Sequence, residues 1–375
     1  MITTAIAAGS DGTVVLSSGA TYGILLAILF THGIVCSGAT RVTARLNVVY
    51  AIITVGATVA ATIALLVASG NRKVSTRDAF LKYENHSGWQ NDAWAFLLSF
   101  TSPMFALTGY DSAAHISEEV AGAARVAPIA ILVGVGATAG LGWILIFATS
   151  FVIPSVSNIL ASDLPLPMGQ VFLDVLGKRG MLAIWSMIIV VQYVTGAAQG
   201  IDASRTVFAF SRDHALPGSR WWRRINRTTL TPVNAAWLVM ALSGVCGVVG
   251  FSATALNSLV GASVIGLYTS YTVPIFFVVF GGRKKIVPGP FNMGKLSRFI
   301  GGIAVLWVTF IIVVLVFPVG QAVTAENMNY AIVIIGAVFI FASISWVVSA
   351  RHWFHGPVKT VGDNSVGSLE GSEIL

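Results

Sequence analysis

The chain of 375 residues is 55% hydrophobic and only 10% charged, with a mean hydropathy of +0.82. Soluble domains carry about 25% charged residues, and one of this length could not hide so much apolar surface, so the composition excludes a soluble globular protein and indicates a polytopic one set in a lipid bilayer. The net charge of +7 does not argue for a nucleic-acid partner, because the basic residues occupy short loops between apolar runs.

Residues 1–8 are too short to cross a bilayer and lack the basic start of a signal peptide. Runs of about 20 apolar residues, enough for ~30 Å of hydrocarbon, then predict spans at 22–40, 46–68, 94–118, 127–153, 181–210, 232–251, 254–280, 299–320 and 328–350. That makes about nine. Cys36 and Cys246 fall inside these runs with neither metal-ligand spacing nor a disulfide framework, and no cofactor is expected. The end of the chain is rich in Gly, Ser and acidic residues. One membrane domain over 1–360 and a disordered cytoplasmic tail over 361–375 are therefore expected.

Loop charge orients the array. With the loop at 40–46 cytoplasmic, sixteen of the 22 Lys and Arg residues fall on that side, including Arg41, Arg45, Arg125, Arg205, the cluster at 212–227, Arg283, Lys284, Lys285 and Lys359. Arg72, Lys73, Arg77, Lys82, Lys178 and Arg179 fall on the other. Asn85, in an Asn-His-Ser sequon, lies on the outer side and is a candidate for glycosylation; the sequon at Asn226 lies inside.

Ionisable residues within spans are costly and mark functional pathways. Asp111, His115, Asp202 and Arg205 qualify, whereas Glu118 and Glu119 read as interfacial. Asp202 and Arg205, three apart on one helical face, predict a structural pair at a helix end. His32 and His115 lie in spans with no acidic partner at catalytic spacing, which argues against an enzyme. Thr108-Gly109-Tyr110-Asp111-Ser112 joins a helix breaker to four hydrogen-bonding side chains, so the span at 94–118 should open there. Such an opening serves either as a substrate site lining a watery cavity or as a packed kink. Thr195 and Gln199, one turn apart in mid-span, face a cavity or bond to a neighbouring helix. Gly134, Gly136, Gly140 and Gly142 predict close helix approach.

Four motifs in order resemble fungal GABA, choline and amino-acid permeases of the amino acid–polyamine–organocation (APC) superfamily. LTGYDSAAHISEEV at 107–120 resembles the sixth helix, and ASRTVFAFSRDHALP at 203–217 the end of the eighth with its loop. TPVNA at 231–235 is similar to the start of the ninth, and GPFNMGK at 289–295 to the loop before the eleventh.

The resemblance implies an all-α transporter fold with a five-plus-five inverted repeat, here N-terminally truncated to helices four to twelve, with residues 1–8 as the outer end of helix three. It implies a secondary active transporter of amino acids or related small amines, GABA-like or choline-like, coupled to protons, in the plasma membrane rather than the vacuole. The unwound site maps to Leu107 through Ser112, making Thr108, Gly109, Tyr110, Asp111 and Ser112 substrate contacts, with Thr195 and Gln199 as further candidates. Asp111 would attract a substrate cation or take part in proton coupling. A larger side chain at Gly109 would fill the space beside the unwound backbone. Two other readings stand beside this one: a truncated chain that does not transport, and a sensor using the same pocket.

The charge count yields a direct test of topology. Cysteines placed at Asn85 and Asn226 should differ in intact cells, the first labelled by an impermeant maleimide and the second protected. Outside labelling at position 226 would reverse the orientation.

Overall fold

The computed structural model describes residues 1–117, 120–282, 289–318, 320–325, 328–354 and 356. Glu118, Glu119, Arg283, Lys284, Lys285, Lys359 and the tail at 361–375 lie outside the described residues. The described chain is all-helical: α1 (Ile2–Gly9), α2 (Ser18–Cys36), α3 (Thr40–Ser69), α4 (Thr76–Leu81), α5 (Asp92–Leu98), α6 (Thr101–Ala106), α7 (Ser112–His115), α8 (Ala123–Val152), α9 (Val156–Leu160), α10 (Met168–Arg212), α11 (Ser219–Trp222), α12 (Val233–Gly247), α13 (Ala253–Phe277), α14 (Leu296–Val316) and α15 (Ala331–Val348).

Eight of these are long and apolar enough to cross a membrane: α2, α3, α8, α10, α12, α13, α14 and α15. The protein is thus an integral, multi-pass membrane protein. The ninth expected span, 94–118, is not one helix but α5, α6 and α7 in series. The expected span at 181–210 extends to Met168–Arg212, with a non-helical kink at Gly177 (φ 67°, ψ 173°). Polar residues inside spans are satisfied locally. In α3, Thr54, Thr58 and Thr62 each donate to the carbonyl four residues back, at 2.9, 2.9 and 2.8 Å, which removes the cost of a bare hydroxyl in hydrocarbon.

Two groups of helices organise the packing. In the first, α10 meets α1, α2, α3 and α12, and α3 meets α8. Its core joins Leu65, Val152, Phe172, Met181 and Trp185, and the Trp185 indole Nε1–H donates to the Met1 carbonyl at 3.0 Å. In the second, α13 meets α6, α14 and α15, around Leu98, Met104, Ile265, Tyr268, Ile311 and Ala331. Transmembrane helices gain stability by close van der Waals contact where small residues permit it.

The glycines that provide such contact are not the expected ones. A Cβ added at Gly134, Gly136, Gly140 or Gly142 would meet nothing within 4 Å among the described residues. Spacing alone does not reveal whether a face has a neighbour. Close approach occurs instead on α10, where a Cβ at Gly196 would lie 2.7 Å from His32 Cε1 and one at Gly200 2.7 Å from Met240 Cε. His32 is buried there, its ring 4.6 Å from that of Tyr193 and its Nε2 3.0 Å from the Tyr193 carbonyl oxygen.

Overpacking a tight helix contact costs about 1–3 kcal/mol. Gly196→Val should therefore lower the thermal unfolding midpoint in detergent by several degrees, while Gly140→Ala leaves it unchanged. Equal midpoints for the two variants would show that the α2–α10 contact is not limiting.

Candidate functional site

The break follows from the sequence between α6 and α7. Leu107 leaves helical geometry at φ −99°, ψ 14°, and Gly109 takes φ +83°, a conformation in which an L side chain is strained and glycine is not. Neighbouring side chains then bond to the backbone. The Thr108 hydroxyl donates to the Phe105 carbonyl at 2.7 Å, and the Ser112 hydroxyl to the Gly109 carbonyl at 2.9 Å. The N–H groups of Tyr110 and Asp111, and the carbonyls of Leu107, Thr108 and Tyr110, have no hydrogen-bond partner among the described residues. Bare peptide groups at membrane depth persist only where they are buried in protein or line a polar cavity.

A cavity of mixed lining lies beside them. It measures about 200 Å³, with Thr108, Gly109, Tyr110 and Ser112 among its lining residues on one side and Ala130, Gly134, Val135 and Thr138 of α8 on the other. Four of the five residues expected at the break therefore face one space.

Asp111 points elsewhere. Its Oδ1 accepts a 2.7 Å hydrogen bond from the Tyr271 hydroxyl of α13, and its Oδ2 lies 2.9 Å from His115 Nε2. An ionised carboxylate only accepts, so His115 is the donor in that contact. Tyr271 also accepts from the Gly109 N–H at 3.3 Å, and its ring lies 4.7 Å from that of Tyr110. One tyrosine thus holds both the turn and the carboxylate.

This network corrects two expectations. His115 does have an acidic partner, Asp111, one helical turn earlier; the spacing of four residues was legible, but a broken helix gave no assurance that the two side chains would meet. The anticipated Asp202–Arg205 pair does not form. Asp202 Oδ1 is buried with no hydrogen-bond partner among the described residues, and the residue lies within electrostatic reach of His115 and Asp111. Arg205 is buried on α10. Tyr271 gave no sequence signal at all, being one apolar-looking position in a long span.

Thr195 and Gln199 are exposed on α10 and are not among the residues lining the cavity at the break; the Thr195 hydroxyl donates to its own helix at Val191, 2.8 Å away. Asn85 is half-buried, and its amide nitrogen donates to the Trp89 carbonyl at 2.7 Å and to Asp92 Oδ1 at 2.8 Å, so a glycan on Asn85, which replaces one amide hydrogen, would remove one of these bonds. A larger cavity of about 740 Å³ lies between α1, α2 and the end of α12, with Asp11 and Asp163 among its lining residues, and it contains none of the expected site residues.

Residues 2–339 match the amino acid permease family. The chain belongs to that family. It therefore groups with membrane permeases rather than enzymes, and the APC-type fold inferred from the four motifs agrees with its all-helical architecture. An uncharacterized amino-acid permease of Schizosaccharomyces pombe is 35% identical over 338 residues, covering 89% of this chain and 62% of the relative. The GABA-specific permease of Saccharomyces cerevisiae is 30% identical, covering 100% of this chain and 67% of its own length. Among plant relatives, amino-acid permease BAT1 of Arabidopsis thaliana is 31% identical, over 77% of this chain and 58% of that one. The permease chain thus spans 62% of the length of each of two S. pombe relatives and 55% of a rice one.

A Cβ at Gly109 meets nothing within 4 Å, so an alanine there is opposed by the positive φ alone, at about 1–2 kcal/mol for an L residue, while a leucine also has open space beside the break to fill. Gly109→Ala should therefore impair uptake by the intact transporter, and Gly109→Leu should impair it more. Equal losses from the two would show that backbone strain alone, and not filled space, is the cause.

Proposed function

We propose that this protein carries amino acids or related small amines across the membrane as a proton-coupled secondary transporter, and that the break between α6 and α7 is where substrate binds. The observation that supports this reading is the set of peptide groups at residues 107–111 without partners among the described residues, beside a small cavity. A zwitterion is complementary to such a surface. Its carboxylate can accept from the N–H groups of Tyr110 and Asp111, and its ammonium can donate to the carbonyls of Leu107, Thr108 and Tyr110. Thr108 and Ser112 hydroxyls supply the remaining polar contacts. GABA is the first substrate to try, given the name of the yeast relative, and the plasma membrane is the first location.

Asp111 takes the second role considered for it. Its carboxylate is bonded to His115 and Tyr271 rather than facing the cavity, which suits a group that holds a proton during the cycle better than one that grips a substrate cation. Asp202 stands behind it as a second acidic group within reach. Protonation of the Asp111–His115 couple would weaken its hold on Tyr271, and Tyr271 in turn holds the Gly109 turn. Proton occupancy and the shape of the site are linked through one hydroxyl.

The test is Asp111→Asn in the intact transporter, expressed in a permease-deficient host. Charged hydrogen bonds contribute about 1.5–3 kcal/mol, so accumulation against a gradient should fall by about tenfold or more and lose its dependence on external pH, while membrane abundance stays near wild type. Wild-type kinetics with wild-type pH dependence would contradict a coupling role. Loss of the protein from the membrane would favour a purely structural kink.

A further inference from the structure

The segment that joins α10 to α12 carries Arg220, Arg223, Arg224 and Arg227 around two tryptophans, in the run SRWWRRINR. Arg223 Nη1 lies 2.9 Å from His214 Nε2. Arg220, Arg224 and Arg227 are exposed, and none of their guanidinium groups makes a hydrogen bond or ion pair among the described residues. The only acidic residue between 203 and 230, Asp213, lies 3.6 Å from the Arg212 guanidinium. The positive charge of this surface is left open.

The segment is held firmly. The Asn234 amide on α12 donates to the Trp221 carbonyl at 3.0 Å, and the Trp222 indole donates to the Pro217 carbonyl at 2.9 Å. Asn226 Oδ1 accepts from the Thr228 and Thr229 N–H groups at 2.8 and 3.2 Å, and buried Thr231 donates to the Ser37 carbonyl of the α2 end. Arginines on such a frame lose little entropy when they bind an anion. Beside them lies a groove of about 430 Å³, with Trp221, Trp222 and Arg224 at one end and Trp237, Leu238 and Ala241 of α12 at the other. Trp221 is 54%, Ile225 52% and Leu230 69% exposed, an apolar fringe that suits the headgroup level of a bilayer.

We propose that this groove binds an anionic phospholipid, with the phosphate on Arg224 and its neighbours and an acyl chain along Trp237, Leu238 and Ala241. The groove joins the Arg224 guanidinium and the indoles of Trp221 and Trp222 to the Trp237, Leu238 and Ala241 face of α12, a cation beside an apolar surface, as an anionic phospholipid requires. A free phosphate would use the arginines alone and leave the exposed indole and the apolar end without a partner. The acidic chain end, with Asp363, Glu370 and Glu373, is the other anion at hand, but it offers no acyl chain for the α12 face.

The experiment is native mass spectrometry of the whole chain in detergent, incubated in parallel with dioleoyl-phosphatidylserine and dioleoyl-phosphatidylcholine. Each arginine near an anionic headgroup favours it by roughly fivefold, so phosphatidylserine should be retained about tenfold or more over phosphatidylcholine. The R220Q/R224Q/R227Q variant should bring the two lipids close to parity, while Arg351→Gln keeps the wild-type preference. Trp237→Ala should weaken both lipids. Should the triple variant not fold, Arg224→Gln alone must lower the preference. Several results would overturn the site: no preference in the wild type, a preference that survives loss of the arginines, displacement of phosphatidylserine by equimolar glycerol 3-phosphate, or lipid binding that arises only after removal of residues 357–375, which would assign the surface to the tail.

Discussion

A hydrocarbon bilayer offers no partner to a peptide group, and the rest of the structure depends on how the chain meets that constraint. Eight helices meet it by bonding their own backbones, and polar side chains within them, such as the threonines of α3, bond to the preceding turn. The segment from Leu107 to Asp111 does not. It leaves two N–H groups and three carbonyls without partners among the described residues and gathers them beside a small cavity. In a chain this apolar such groups are costly, and the proposed substrate site gives them a use.

The break is also a joint. On its N-terminal side α5 packs on α14 and α6 on α13; on its C-terminal side α7 packs on α8 and α10. Each half of the broken helix therefore belongs to a different group of helices. The chain passes between the two groups at residues 107–111, where Gly109 takes a positive φ, and again between α12 and α13. The Tyr271–Asp111 bond spans the joint, tying α13 of one group to the head of α7, which packs on the other. The unpartnered peptide groups, the carboxylate–histidine couple and the glycine turn coincide within a few residues, the arrangement that the proposed transport reading needs.

Much of this was legible in the sequence. Composition and apolar run length identify the spans because the bilayer imposes them, and the helix breaker beside Asp111 marked the opening in the ninth. Tertiary pairing was not legible. Glycine spacing suggested close contact on α8, but contact needs a neighbour, and tight approaches occur at other glycines, Gly196 and Gly200 on α10 among them. Asp202 and Arg205 share a helical face, yet Asp202 Oδ1 is buried without a partner among the described residues, within electrostatic reach of His115 and Asp111. Tyr271, the residue on which the site turns, is 160 positions from Asp111 in sequence, and nothing local distinguishes it from other aromatic residues in its span.

The most direct measurement is substrate protection of a single cysteine at the break. In the intact transporter, with Cys36 and Cys246 replaced by serine, Ser112→Cys would be labelled by a small maleimide with and without saturating substrate. Substrate in the cavity should slow labelling of that cysteine strongly, and leave labelling of a cysteine at Thr3, in the larger cavity, unchanged. Undiminished labelling at position 112, in a variant that still takes up substrate, would contradict the assignment of the break as the binding site.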